Sequence, residues 1–272
     1  MKPAEISLKN KVAVITGGGR GIGKAIANLF AGAGAHVVIV DIDEHEIEKA
    51  VEEVKSTTSQ VIGVKTDVSK HADVEAMMSR VIDKFGTVDI LVNNAAIEYY
   101  VPLMRLREDG WDKTFDINVK GYYLCAQAAG KIMLKKNSGN IINFASMAGM
   151  FADKYSGAYC ASKAAIIQLS RALAAELAHH NVRVNCIAPG MVKTRMAEAA
   201  TKDKETFDRY CRIIPMGRFA EPVEMAKVAL FLASDLATYV TGATITVDGG
   251  ISITGMNHDE SEKTIPAKYR LL

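Results

Sequence analysis

Short β-branched runs alternate with longer segments of helical period along nearly the whole chain, and no other feature limits the possible folds so sharply. Neighbouring parallel strands need a crossover between them, so this alternation predicts an α/β fold: a doubly wound parallel sheet with helices on both faces. Strands are expected near Val12–Thr16, His36–Asp41, Val61–Thr66, Asp89–Asn93, Asn140–Ala145, Arg183–Ile187 and Thr244–Val247, enough for one seven-stranded sheet. Between them Gly21–Gly32, Asp43–Ser56, Ala72–Phe85, Trp111–Lys136, Gly157–His180 and Pro222–Ala233 show spaced apolar residues with charged opposite faces, as crossover helices do. Asp43 with Glu46, and Ser69 before a polar turn, read as helix N-caps. Met191–Phe219 breaks the rhythm and reads as a lid or binding loop. No linker or repeat divides the 272 residues, which predicts one domain over 1–257 and a polar tail over 258–272.

Composition removes several function classes. Thirty-three basic residues against 31 acidic leave a formal charge of +2 without long like-charge runs, which argues against a nucleic-acid partner. Cys125, Cys160, Cys186 and Cys211 form no C-x-x-C pair, so zinc and redox sites are not expected. Met1–Asn10 carries Lys2, Glu5 and Lys9 and no apolar core, and no apolar run is long enough to span a bilayer; the reading is a cytoplasmic protein without a membrane partner. His45-Glu46 has Lys49 where a zincin needs histidine, so no metal site is expected, and Ser146 lies in no G-x-S-x-G elbow.

Two places carry chemistry. Thr16-Gly17-Gly18-Gly19-Arg20-Gly21-Ile22-Gly23 follows the first strand and opens a helix, with glycines spaced G-x-x-x-G-x-G. A dinucleotide pyrophosphate fits such a turn, because glycines let the backbone approach and the helix start offers unpaired N–H groups. Asp41 ends the second strand, where a carboxylate can accept hydrogen bonds from the adenosine ribose hydroxyls or simply cap the next helix. A 2′-phosphate would meet a like charge there, and Ile42 offers no compensation; Arg20 is the counterweight. NAD is therefore expected over NADP. Further along, Tyr159 and Lys163 are one helical turn apart and Ser146 ends the preceding strand. A free phenol titrates near pH 10, so acid/base work at neutral pH needs a cation close by, which Lys163 would supply.

With these residues in order, the chain resembles the short-chain dehydrogenase/reductase family, from about Leu8 to Gly255. Thr16–Gly23 resembles that family's cofactor turn, Asp67-Val68 its adenine-contacting pair and Asn93-Asn94-Ala95 its fourth-strand signature. Asn118, Ser146, Tyr159 and Lys163 resemble the catalytic tetrad. Pro189-Gly190, with Val192 and Thr194, resembles the segment that positions the nicotinamide. The resemblance implies a Rossmann fold, a hydride transferred between NAD and a secondary alcohol or ketone, and Tyr159 as general acid/base. It also implies that Lys163 lowers the phenol's pKa and holds the ribose, that Ser146 orients the substrate oxygen, and that the Asn118 carbonyl holds a relay water. A homotetramer follows from the same likeness, pairing the helices around Trp111–Lys136 and Gly157–His180 through small residues such as Ala126, Ala128, Ala129 and Ala164. Two features depart from the pattern: Ala96 replaces a usual glycine, and the tail is long.

The substrate stays open at this level. A pocket lined by Glu98, Tyr99, Met147, Phe151, Tyr155, Met191 and Met196–Tyr210 offers tyrosines and a carboxylate for a polyol or sugar, and methionines for an apolar ketone. Two alternatives stand beside the favoured polyol reading: a 3-oxoacyl-carrier-protein reductase using NADPH, and a non-catalytic cofactor-binding regulator. Ile265, Tyr269, Leu271 and Leu272 are expected to dock the tail on a neighbouring subunit.

Overall fold

Every residue of β1 (Val12–Thr16) is buried, because its side chains divide between two core layers: Ala13 and Ile15 in one, Val12 and Val14 in the other. A strand covered on both faces reads as an unbroken apolar run, and each large side chain so buried contributes about 1.5–3 kcal/mol. The computed structural model describes residues 6–57 and 60–254. The tail 258–272, with Ile265, Tyr269, Leu271 and Leu272, lies outside the described residues, as does Met1–Glu5.

The other strands are β2 (His36–Asp41), β3 (Val61–Lys65), β4 (Ile90–Asn93), β5 (Gly139–Phe144), β6 (Val182–Pro189) and β7 (Thr244–Val247). They form one seven-stranded sheet in the order β3-β2-β1-β4-β5-β6-β7, every pairing parallel. One face is covered by α1 (Gly21–Gly32), α2 (Glu44–Lys55) and α9 (Pro222–Ala233), through Ile26, Phe30, Ile47 and Met225. α3 (His71–Phe85), α5 (Gly121–Lys136) and α6 (Gly157–Leu177) cover the other, through Met77, Cys125, Met133 and Ala174. The strand order reverses between β1 and β4, and the crevice at the carboxyl ends of the strands there is where open α/β sheets take ligands.

Several local expectations change. The segment expected as one helix from Trp111 is α4 (Glu108–Phe115), a π-helical stretch over Asp116–Lys120, and then α5. Asp43 caps α2 through the Glu46 amide, but Lys70 holds the N-cap position of α3. The Ser69 hydroxyl, expected as that cap, donates instead to Asp67 at 2.6 Å. β6 runs on to Pro189 because Ala188 and Pro189 still pair with Thr246 and Val247. The insertion after β6 is helical, with α7 (Glu198–Lys202) and α8 (Lys204–Ile213). A parallel bridge between Val192 and Ala220 ties its two ends together, and buried Phe219 packs beneath it against Phe207 and Tyr210. The last of the described elements is α10 (Ile251–Thr254). No helix of the described residues is long and apolar enough to cross a membrane.

Candidate active site

The turn between β1 and α1 is shaped by contacts that only glycine permits. Gly17 holds φ +62°, and a Cβ there would lie 2.9 Å from Ala95 Cα; one on Gly23 would lie 2.1 Å from the Gly17 carbonyl oxygen. α1 starts at Gly21 behind an extended Arg20, with no side-chain cap and no acidic residue in its first turn. The first N–H groups, those of Gly21, Ile22 and Gly23, thus lack a side-chain acceptor, and the positive end of the helix is left for an anion. Asn94 buttresses the turn: both amide hydrogens go to carbonyls, Thr16 at 3.1 Å and Gly17 at 3.0 Å. Expected as a cofactor contact, its side-chain amide is spent on shaping the turn.

Asp41, at the end of β2, is held by the backbone. Its Oδ2 accepts from the Gly19 amide at 3.1 Å, and its Oδ1 accepts from Ile42 at 2.8 Å and Asp43 at 3.3 Å. The capping role open to it is taken by Asp43. Across a cavity of about 420 Å³ lined by Ile42, Lys65, Asp67 and Arg80 lies the expected adenine end. Burial pushes the Asp67 carboxyl up, but hydrogen bonds from Ser69 and Lys70 outweigh it and hold the group below its ordinary value. Val68 is buried against Gly121, where a Cβ would stand 2.8 Å from its Cγ2.

The third segment arrives from β6. A Cβ on Gly190 would lie 2.7 Å from Asp248 Cα, so glycine lets this chain pass the end of β7 just after Pro189. Thr194 stands over the cofactor turn, its Cγ2 being 3.4 Å from where a Gly21 Cβ would be. Val192, expected to touch the nicotinamide ring, packs against the core layer and pairs with Ala220 in the bridge at the base of the insertion.

The four residues of the expected tetrad meet where β5 and α6 converge. The Ser146 hydroxyl accepts from the Ala148 amide at 3.1 Å and lies near enough to the Tyr159 phenol to favour its ionised form. Lys163 is 2% exposed, with Nζ 5.5 Å from the centre of the Tyr159 ring. That ammonium donates to the Phe144 carbonyl at 2.8 Å and to the Tyr122 hydroxyl at 3.3 Å. Asn118 joins through the π-helical stretch: its Oδ1 accepts from the Ile97 amide and its Nδ2 donates to the Ile97 carbonyl, both at 2.9 Å. The same Nδ2 donates to Ser162 at 3.1 Å, and the Ser162 hydroxyl donates to the Tyr159 carbonyl at 2.7 Å. With its side chain engaged in this clamp, Asn118 has only its backbone to offer a water.

Burial dominates the electrostatics of the pair expected to act together, Tyr159 and Lys163. Burial pushes Tyr159 above its ordinary value, the Glu98 charge adds to this, and the Ser146 hydroxyl opposes it. Burial also pushes Lys163 down, to about 8. Desolvation is the largest effect on both groups, as it is for ionisable groups in dry sites. Three contributors escaped the sequence reading: Tyr122, Ser162 and Ser156, whose hydroxyl donates to Glu98 at 2.6 Å. Tyr122 lies one helical turn beyond Asn118, so a face-by-face reading of that helix points to it; the two serines carry no comparable signal.

Comparison with known proteins places this arrangement. A family model described as Enoyl-(Acyl carrier protein) reductase matches residues 17–252. The 3-oxoacyl-[acyl-carrier-protein] reductase FabG of Thermotoga maritima is 39% identical over 90% of this chain and 99% of its own length. The NAD-dependent glycerol dehydrogenase of Listeria innocua is 38% identical over 92% of this chain and 96% of its own. The crystal structure of a gluconate 5-dehydrogenase from Burkholderia cenocepacia, in complex with NADP and tartrate, superposes with a TM-score of 0.88 at 33% identity, covering 92% of this chain and 98% of the other.

Proposed function

This chain belongs to the short-chain dehydrogenase/reductase family, and on that premise we propose that it is an NAD-dependent oxidoreductase acting on a secondary alcohol or its ketone, of the polyol or sugar type. The observation that carries the reading is the convergence of Ser146 and Lys163 on Tyr159 beside a glycine turn to which Asp41 is bonded. Gly17, Arg20, Gly21, Ile22 and Gly23 hold the pyrophosphate, Asp41 the adenosine ribose, and Asp67 and Val68 the adenine; Asn94 shapes the turn, and Pro189, Gly190, Val192 and Thr194 border the nicotinamide end. A bound nicotinamide dinucleotide supplies the hydride acceptor in oxidation and the donor in reduction.

In oxidation Tyr159 Oη accepts the proton of the substrate hydroxyl, while Ser146 donates to the same substrate oxygen. In reduction the phenol returns that proton. Lys163 holds positive charge beside the tyrosinate that forms, and the Asn118 carbonyl holds a water through which the proton reaches solvent. The reading extends to one domain over 1–257 with 258–272 as a tail, and to a cytoplasmic homotetramer. Tyr123 and Leu134 on α5 and Ala164 on α6 are exposed and suit the helix pairing; Ala126, Ala128 and Ala129 are spent on the chain's own core.

The test is a screen of NAD⁺ reduction over polyols, sugars, secondary alcohols and 3-hydroxyacyl thioesters, with NADP⁺ in parallel. Turnover of a polyol with NAD⁺ supports the reading; turnover only of thioesters with NADP⁺ replaces it with the second one, reduction of a 3-oxoacyl-carrier-protein substrate. That second reading is favoured by the name of the Thermotoga relative. Binding of NADH without any turnover favours the non-catalytic regulator.

A further inference from the structure

Glu98 follows β4 on the segment that Asn118 clamps at Ile97, so its backbone is fixed from below. Its Oε1 accepts a 2.6 Å hydrogen bond from the Ser156 hydroxyl. Ser156 is fully buried and occupies the N-cap position of α6, yet makes no side-chain cap. Serine is favoured at that position because its oxygen can satisfy an otherwise unpaired helix N–H; here the side chain is turned to Glu98. The two segments are fastened twice more, by the Val101 amide donating to the Tyr155 carbonyl at 2.7 Å and by edge-to-face packing of Tyr100 on Tyr155 at 5.6 Å. Tyr155 holds φ +74°, a conformation a bulky aromatic rarely adopts. A helix cap and an easy backbone are thus both given up where Glu98 is anchored, a pattern that marks working parts of a site more than packing.

Among the described residues Glu98 Oε2 makes no hydrogen bond. The carboxylate is near enough to Tyr159 to raise the phenol, and it in turn feels Asp153 and Lys163. We propose that Glu98 is a specificity-determining residue, accepting a hydrogen bond from a second substrate hydroxyl next to the carbinol that Tyr159 deprotonates, and so selecting vicinal diols and polyols over simple secondary alcohols. A carboxylate or phosphate placed there would meet Glu98 and Asp153 as like charges. The inference rests on the reading of Tyr159 as acid/base of an alcohol oxidoreductase.

The test measures kcat/KM with NAD⁺ for 2,3-butanediol and 2-butanol in the unaltered protein, in Glu98→Gln and in Ser156→Ala. The two alcohols share the reacting carbinol and differ in the neighbouring hydroxyl, so any effect of the Glu98 charge on Tyr159 cancels in their ratio. NADH titration checks that each variant keeps its cofactor site. The unaltered protein should prefer the diol, and each substitution should lower the diol-to-monoalcohol ratio, about tenfold for Glu98→Gln, in KM more than in kcat. A ratio unmoved by both substitutions overturns the role of Glu98 and leaves the alcohol oxidoreductase standing. An unaltered protein that binds NADH but oxidises neither these alcohols nor any polyol or sugar of the screen overturns both.

Discussion

At the carboxyl ends of β1 and β2 the site is made of backbone. Gly17, Gly21 and Gly23 shape a turn whose neighbours leave no room for a Cβ at Gly17 or Gly23, and Asp41 is held by three amide groups. Around β4, β5 and α6 it is made of side chains that meet across long stretches of sequence: Asn118 reaches Ile97 and Ser162, Lys163 reaches Tyr122, and Ser156 reaches Glu98. A backbone cradle follows from local sequence and tolerates change everywhere except at its glycines and its one charge. A side-chain cluster depends on every buried polar partner being matched, since an unmatched one costs about 1–3 kcal/mol. The two ends should therefore fail in different ways.

The largest contrast comes from Tyr159→Phe. Removing the proposed proton donor and acceptor should lower kcat by roughly 10²–10⁴-fold, while NADH affinity, which the proposal assigns to the backbone end, should change less than about twofold. Steady-state kinetics with a fluorescence titration reads both numbers; a variant that still turns over would remove Tyr159 from the mechanism. Next in size is Asp41→Ser, which relieves the like charge facing a 2′-phosphate. The preference for NAD⁺ over NADP⁺ in kcat/KM should fall roughly 100-fold, the equivalent of about 2.7 kcal/mol. An unchanged preference would mean that the ribose is read by another group, Arg20 being the first to examine.

Smaller again is the effect of Asn118→Ala, which leaves the Ile97 amide and carbonyl without their partner. Urea unfolding should show a loss of about 1–3 kcal/mol, with turnover falling as the Glu98–Tyr100 segment loosens. Full stability in this variant would show that the π-helical turn is not held by that clamp.

The same division explains what could be read without coordinates. β1, β2, β7, α1 and α9 begin and end where the sequence pattern places them, because an apolar run bounded by glycine, proline or a charge is a local signal. The cofactor turn and Asp41 share that locality. The π-helical stretch at Asp116–Lys120 does not: helical periodicity runs straight through it, and the widening accompanies bonds from Asn118 to residues 21 and 44 positions away. The Ser69 cap failed for a related reason, since Asp67 competes for its hydroxyl. Likewise Glu98 is visible in the sequence as a carboxylate near the pocket, but its buried partner lies 58 residues on, beyond any pattern of short period.

The subtlest test concerns charge at the side-chain end. Burial raises the Tyr159 phenol most, the Glu98 charge adds to it, and Ser146 acts in the opposite sense. Glu98→Gln removes the second contribution and keeps the shape, so the phenol should titrate at lower pH than in the unaltered protein. Oxidation needs the deprotonated phenol and gains activity as pH rises through that titration; its rising limb should therefore move to lower pH. Reduction needs the protonated phenol, so its falling limb should move the same way. Profiles of kcat against pH in both directions check this, and a shift of either limb to higher pH would show that Glu98 does not act on Tyr159 through its charge. Asp41→Ser should move neither limb, because Asp41 is not among the groups that act on the phenol. A parallel displacement of both limbs by the glutamate, with none from the aspartate, would separate the end of the site that sets the proton from the end that holds the cofactor.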